Sequence, residues 1–208
     1  MPQRPFSADV RVNASFWLLM LLAVIVSPLT VVAAILTAAA LHELGHLAAM
    51  RYYGVSVKHF RLTALGAELD APALARLSYG RELIITLAGV TVNLFCAILL
   101  ALLGLRTWRG GGFVFAGAHL VLAAFNLLPV VPLDGARALC LALSFFLGPA
   151  TGERITAAVS LACSLALCAL GLKLSLGLHS GWLFAFAAFG LLWGTLRQLG
   201  LARGAKSV

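Results

Sequence analysis

Two histidines and a glutamate form the pattern HELGH at residues 42–46, within an apolar part of the chain. Residues four apart lie on the same face of a helix, so His42 and His46 can bind one metal ion together. Zinc suits this pair, and Glu43 between them is placed to act as a general base on water. The stretch Leu29–Leu41, which leads into the pattern, has no charged residue. Because ionisable groups are costly at membrane depth, the pattern predicts zinc-dependent hydrolysis within a bilayer.

A catalytic zinc site needs a third protein ligand, and Asp134 is the candidate among seven acidic residues. It ends the run NLLPVVPLD at residues 126–134. Pro129 and Pro132 should break the preceding helix, and Gly135 allows close backbone approach, so the turn can direct the carboxylate into the helix bundle. The alternative makes Asp134 the N-cap of a short helix over residues 135–147, and both roles can hold together.

The composition predicts a membrane protein. Of 208 residues, 62% are hydrophobic and 11% charged, and the mean hydropathy is +1.03. We expect an all-α polytopic fold with about six transmembrane helices and a small membrane-associated β-hairpin after the second. The expected domain covers residues 1–208, with a core at 29–147 and accessory transmembrane helices within 151–199. The six apolar segments lie near residues 16–27, 29–53, 82–103, 113–128, 155–172 and 181–199.

Residues 55–70 have a different residue pattern from the apolar segments around them. Apolar and polar residues alternate loosely, which predicts two short strands around a turn near Leu65 and Gly66. An exposed strand edge there could accept an extended substrate by strand addition. A simple amphipathic loop is the alternative.

The distribution of basic residues predicts the topology. With the N-terminus inside, 12 of the 15 Lys and Arg residues fall on the inner side and 3 on the outer side. The bias favours six spans in the cell membrane with both termini cytoplasmic, and places His46 and Asp134 towards the cytoplasmic face. A nucleic-acid partner is not expected, because the basic residues are scattered at the ends of apolar segments.

HELGH followed by NLLPVVPLDGAR resembles the site-2 protease family of zinc intramembrane metalloproteases, over about residues 29–147. The resemblance implies zinc bound by His42, His46 and Asp134, with Glu43 as the catalytic glutamate. Asn126 is implied to hold the substrate strand or polarise its carbonyl. The residues that we expect to bind substrate are Asn126, Asn93, Pro129 and Pro132 from the family elements, and Gly66 from the predicted hairpin. Asn93 belongs to a third element, Ala88-Gly89-Val90, in which Val90 replaces the family's usual proline.

The expected lack of additional domains suggests a branch of the family. We expect neither a PDZ module nor a CBS pair, and the compact layout and the phrase LTALGAELD resemble the sporulation-factor branch. The implied substrate is a transmembrane or membrane-associated protein, such as a precursor sigma factor or an anti-sigma factor. The implied partners are that substrate, the lipid bilayer and a regulatory membrane protein.

Two other functions compete with an intramembrane zinc endopeptidase. A catalytically silent relative could bind membrane proteins as a scaffold, but such a protein should tolerate loss of Glu43, which is intact. A zinc transporter would need ligands along a continuous path, and the fifth and sixth segments offer none.

Overall fold

The computed structural model of the chain describes residues 9–57, 59–63, 66–107, 111–177 and 182–204. Most of these residues are helical, and a small sheet is present, as the sequence predicts. The helices are α1 (Ala14–Val26), α2 (Leu29–Tyr52), α3 (Tyr79–Thr107), α4 (Gly111–Asn126), α5 (Asp134–Leu147), α6 (Pro149–Gly177) and α7 (Trp182–Gly204). The strands are β1 (Asp9–Val12), β2 (His59–Thr63) and β3 (Gly66–Asp70). Contacts divide the chain into two compact units, Met1–Phe125 and Asn126–Val208.

Three helical stretches in the described residues are long and apolar enough to cross a membrane: Leu29–Tyr52, Tyr79–Leu103 and Pro149–Leu176. Three shorter apolar helical stretches cover Phe16–Val26, Gly112–Asn126 and Phe184–Arg197. Each of the six predicted segments is therefore helical, while six crossings stay a prediction. Large apolar side chains such as Leu18, Phe95 and Phe186 are exposed on these helices, as expected for surfaces that lipid covers.

The sheet lies in the first unit and has the order β1-β2-β3. Strands β2 and β3 pair antiparallel, from His59 opposite Asp70 to Thr63 opposite Gly66, which confirms the predicted hairpin. Leu65 of the predicted turn lies outside the described residues. The sequence did not predict β1, which pairs parallel to β2 with Asp9 opposite His59. Parallel strands are joined by a long connection, so no turn motif in the local sequence predicts that β1 pairs with β2.

A buried apolar cluster fixes the segment that carries the sheet to the ends of α2 and α3. Its members are Met50, Val55, Ala71, Leu74 and Ile85. Met50 lies near the end of α2, Ile85 in the second turn of α3, and Leu74 in a short 3₁₀ helix between β3 and α3. Excluding water from this cluster holds the two helices together next to the HELGH pattern.

Glycine allows α2 and α3 to approach closely. A Cβ built on Gly45 would lie 2.9 Å from the Ala88 carbonyl oxygen and 3.0 Å from the Gly89 Cα. Small residues at such crossings let helix backbones pack without intervening side chains, which is how membrane helices associate. His46, the second histidine of the pattern, directly follows Gly45 and therefore lies next to this helix contact.

The second unit begins with the turn between α4 and α5. Helix α4 ends at Asn126 and α5 begins at Asp134, so the proline-containing segment interrupts the helix as predicted. Leu133 is the N-cap of α5 and Asp134 its first residue, so the capping role expected for Asp134 is not the one observed. A Cβ on Gly135 would collide with the carbonyl groups of Leu127 and Leu128. Gly135 thus lets the turn fold back on itself, as predicted.

Helices α5, α6 and α7 pack in sequence within this unit. Gly152 on α6 faces Ser144 of α5, where a Cβ would collide with the serine. A Cβ on Gly171 of α6 would lie 2.9 Å from the Cα of Ala185 on α7. Helix α6 is longer than predicted, because Pro149–Arg154 is helical although it is too polar to look like part of a span.

Candidate metal centre

The two histidines of the HELGH pattern direct their rings to one point. Their Nε2 atoms lie 3.1 Å apart, and the side chains are 5% and 6% exposed. Two nitrogens bound to one tetrahedral zinc at about 2.0–2.1 Å would be about 3.3 Å apart. The spacing of His42 and His46 therefore fits a shared zinc ion.

A hydrogen bond at Nδ1 of His46 determines which ring nitrogen is free to bind a metal. His46 Nδ1 donates a hydrogen bond to the Ile85 carbonyl oxygen at 2.8 Å. A carbonyl can only accept, so the proton belongs on Nδ1 and the lone pair on Nε2. Metal-binding histidines are commonly oriented by such a bond, since it sets both the tautomer and the direction of the ring.

Nδ1 of His42 contacts Asn93, a residue of α3 that is fully buried. The Asn93 amide nitrogen lies 3.3 Å from His42 Nδ1, and its amide oxygen lies 3.0 Å from Nδ1 of His119 on α4. A metal ion on His42 Nε2 leaves an N–H on Nδ1, and half a turn of the amide would place the Asn93 oxygen there to accept it. Asn93 thus lies between two imidazoles. Its assignment to substrate binding stays a prediction.

Gly89 of α3 lies against both imidazoles. A Cβ built there would lie 2.5 Å from His46 Nε2 and 2.8 Å from His42 Cε1. Any side chain at this position would occupy the space of the two rings. Gly89 belongs to the Ala-Gly-Val element that the sequence singles out, but the sequence did not reveal this contact.

Asp134 is the third candidate ligand, and its role as a ligand stays a prediction. One ligand atom from each of His42, His46 and Asp134 lies within 4.8 Å of the others. The two histidines are buried and Asp134 is half-buried. Two imidazole nitrogens and one carboxylate oxygen form a donor set used by catalytic zinc sites, so this group could bind a metal.

The other predicted site residues lie on the elements that the sequence suggests. Glu43 is half-buried in α2, between the two histidines in sequence. Asn126 is the last residue of α4, Pro129 and Pro132 lie in the turn before α5, and Gly66 is the first residue of β3. The catalytic role of Glu43 and the substrate contacts of the others stay predictions.

Sequence reasoning missed two sets of buried polar residues. The first is the pair formed by buried His119 and Asn93, since no local pattern links residues 26 positions apart. Ser160, Ser164 and Thr195 form a buried hydroxyl cluster on α6 and α7. The available signal was the spacing of Ser160 and Ser164, which places two hydroxyls on one face of an apolar helix.

No family profile and no curated protein matches the chain at the level of sequence. Among solved structures, the chain is similar to "Site-2 Protease from Methanocaldococcus jannaschii", with a TM-score of 0.70 and 22% sequence identity. The match covers 90% of this chain and 89% of that one. The chain therefore has the fold of a site-2 protease over nearly its whole length.

Proposed function

We propose that the protein is a zinc-dependent intramembrane endopeptidase of the site-2 protease type. The observation that carries this proposal is the buried histidine pair, whose Nε2 atoms converge at 3.1 Å while His46 is oriented by a backbone carbonyl. Asp134 completes a donor set for zinc. The fold similarity to a site-2 protease adds support that is independent of these side chains.

The proposed chemistry is hydrolysis of a peptide bond. Zinc held by His42, His46 and Asp134 would lower the pKa of water and polarise the scissile carbonyl. Glu43 acts as general base, accepts a proton from the attacking water and passes it to the leaving amine. Asn126 donates a hydrogen bond to the carbonyl oxygen as negative charge develops there. Asn93 and the Ile85 carbonyl keep the imidazoles in their binding orientation.

The proposed substrate is a transmembrane or membrane-associated protein. A membrane helix protects its peptide bonds, because each carbonyl is bonded within the helix, so the substrate must unwind before cleavage. Strand β3 is an outer strand of the sheet and begins at Gly66, so it could hold an extended substrate by strand addition. Pro129 and Pro132 keep the turn before Asp134 non-helical, so the substrate would contact an irregular segment there and not a helix.

The proposed setting is a cell membrane crossed six times, with both termini and the active site towards the cytoplasm. A regulatory membrane protein is a proposed partner in addition to the substrate. A precursor sigma factor or an anti-sigma factor is the substrate class suggested by the resemblance to the sporulation-factor branch.

Removal and return of zinc tests the proposed function. Substrates are first trapped with the Glu43→Gln variant, identified by mass spectrometry, and reconstituted with wild-type protein in liposomes. We expect 1,10-phenanthroline to reduce cleavage to the level of protein-free liposomes, because the site then lacks its electrophile. Stoichiometric Zn²⁺ should restore cleavage, and Mg²⁺ should not, since it prefers all-oxygen octahedral sites.

Two outcomes would count against the proposal. Cleavage that persists in the metal-free protein would exclude the metallopeptidase chemistry. Trapped membrane proteins that the zinc-loaded wild-type protein binds but never cleaves would instead favour the scaffold alternative.

A further inference from the structure

The turn before Asp134 has backbone groups that the helices cannot satisfy. Helix α4 ends at Asn126 and α5 begins at Asp134, so the seven residues between them lie outside both helices. Two bonds are made within the turn, from Val130 N to Leu128 O and from Leu133 N to Val130 O, each 2.8 Å long. Neither bond involves the N–H or the carbonyl of Val131, so both of these groups need other partners. An unsatisfied backbone group at membrane depth costs several kcal/mol.

Hydroxyl groups on α6 and α7 provide both partners. The Val131 N–H donates to Ser160 Oγ at 2.8 Å, and Thr195 Oγ1 donates to the Val131 carbonyl oxygen at 3.2 Å. The two hydroxyl oxygens lie 3.4 Å apart. Ser160 is 0% exposed and Thr195 is 1% exposed, so water does not replace either group.

The donors and acceptors of these groups form a closed ring. The Val131 N–H donates to Ser160, the Ser160 hydroxyl donates to Thr195, and the Thr195 hydroxyl returns to the Val131 carbonyl. Thr195 Oγ1 also lies 3.0 Å from the Leu191 carbonyl oxygen of its own helix, so two carbonyls share its proton. A ring in which each hydroxyl both accepts and donates strengthens its members cooperatively, and removing one member leaves the others unsatisfied.

Ser164 completes the surroundings of the ring. Its hydroxyl donates to the Ser160 carbonyl oxygen at 2.7 Å and lies 3.2 Å from Thr195 Oγ1. Three hydroxyls, from Ser160, Ser164 and Thr195, thus lie close together between α6 and α7. Polar side chains are rare in such helices and tend to have a specific task. Here the task of Ser160 and Thr195 is to bind the backbone of a single residue, Val131.

We infer that Ser160 and Thr195 are positioning residues that hold the Asp134 turn in its binding shape. Val131 is three residues before Asp134, and only Pro132 and Leu133 separate them. When both backbone groups of Val131 are held, the backbone that follows can adopt fewer conformations. This restricts the position and direction of Asp134, the first residue of α5. The last two helices, which contribute no predicted ligand, therefore take part in building the metal site. The consequence for metal binding rests on the proposed function, whereas the hold on the turn does not.

The test compares serine-to-alanine changes at two buried positions of the same helix. Ser160→Ala removes the acceptor of the Val131 N–H. Ser175→Ala is the matched control, because its hydroxyl is also buried but, among the described residues, donates to Gly171 of its own helix. Thr195→Val removes the second hydroxyl, and Thr195→Ser restores it with a smaller side chain. All four are made in the full chain and reconstituted in nanodiscs.

Two measurements are made on each variant. Hydrogen–deuterium exchange of the segment 127–134 reports the hold on the turn, because its two prolines leave six amides, of which Val131 is one. We expect exchange at least about fivefold faster in Ser160→Ala and Thr195→Val, and unchanged exchange in Ser175→Ala. Competition with a chelator for Zn²⁺ should show affinity about 10- to 100-fold weaker in the first two variants, with near-normal affinity in Thr195→Ser.

Each contrary result overturns a defined part of the inference. Unchanged exchange in Ser160→Ala would show that the ring does not hold the turn. Faster exchange with unchanged zinc affinity would show that the hold does not position Asp134. If the wild-type protein itself binds no zinc, the proposed function fails, while the exchange difference between Ser160→Ala and Ser175→Ala still decides whether the ring holds the turn.

Discussion

Replacing Glu43 with glutamine should lower the rate of substrate cleavage at least about 100-fold and leave one zinc bound per chain. Glutamine has nearly the same size and hydrogen-bonding reach as glutamate, but it cannot accept the proton of the attacking water. The metal ligands proposed here are His42, His46 and Asp134, so the variant should separate chemistry from metal binding. The measurement is single-turnover cleavage in liposomes together with the metal content of the same preparation.

A second carboxylate provides the control for this change. Glu153 is an exposed residue of α6, and Glu153→Gln alters charge by the same amount. It should cleave at the wild-type rate. Wild-type cleavage by Glu43→Gln would exclude Glu43 as the general base, and loss of zinc from that variant would indicate a structural or ligating role instead.

Replacing Gly89 with alanine should abolish zinc binding and cleavage together. The added Cβ would lie 2.5 Å from His46 Nε2 and 2.8 Å from His42 Cε1, so both rings must move away from their common point. Displacement of catalytic groups by about 1 Å can reduce a rate by about 100-fold, and here it affects two proposed ligands at once. Zinc affinity and cleavage rate, measured on the same sample, are the two readouts.

Gly80→Ala is the matched control, because Gly80 is on the same helix and, apart from that helix's own backbone, no atom of the described residues lies within 4 Å of the added Cβ. Alanine favours helix more than glycine does, so neither change should weaken α3 as a helix. Loss of function in Gly89→Ala alone would thus be due to the contact with the imidazoles. Normal zinc binding by Gly89→Ala would contradict the geometry described for the histidine pair.

Local patterns were sufficient to predict the parts of the molecule that depend on neighbours in sequence. The spacing of His42 and His46 determines that they share a helix face, and the structure brings their rings together. Pro129, Pro132 and Gly135 predict an interrupted helix with close backbone approach, which is observed. The alternation of residues 55–70 predicts a hairpin, and β2 and β3 form it.

The features that were missed depend on residues far apart in sequence. Strand β1 is short, and its partner β2 begins nearly fifty residues later, so only the folded chain reveals the pairing. The bond between Asn93 and His119 and the ring formed by Val131, Ser160 and Thr195 arise from the packing of separate helices. Hydropathy alone shows that such polar residues are unusual, but it does not identify their partners.

X-ray absorption at the zinc edge tests the central claim most directly, because it identifies the atoms bound to the metal in the purified protein. We expect one zinc per chain with two imidazole nitrogens at about 2.0–2.1 Å and only oxygen as the remaining ligands. Asp134→Ala should weaken binding, and His46→Ala should remove one imidazole contribution. A spectrum dominated by sulfur at about 2.3 Å, which the four cysteines could supply, or one that neither variant changes, would contradict it.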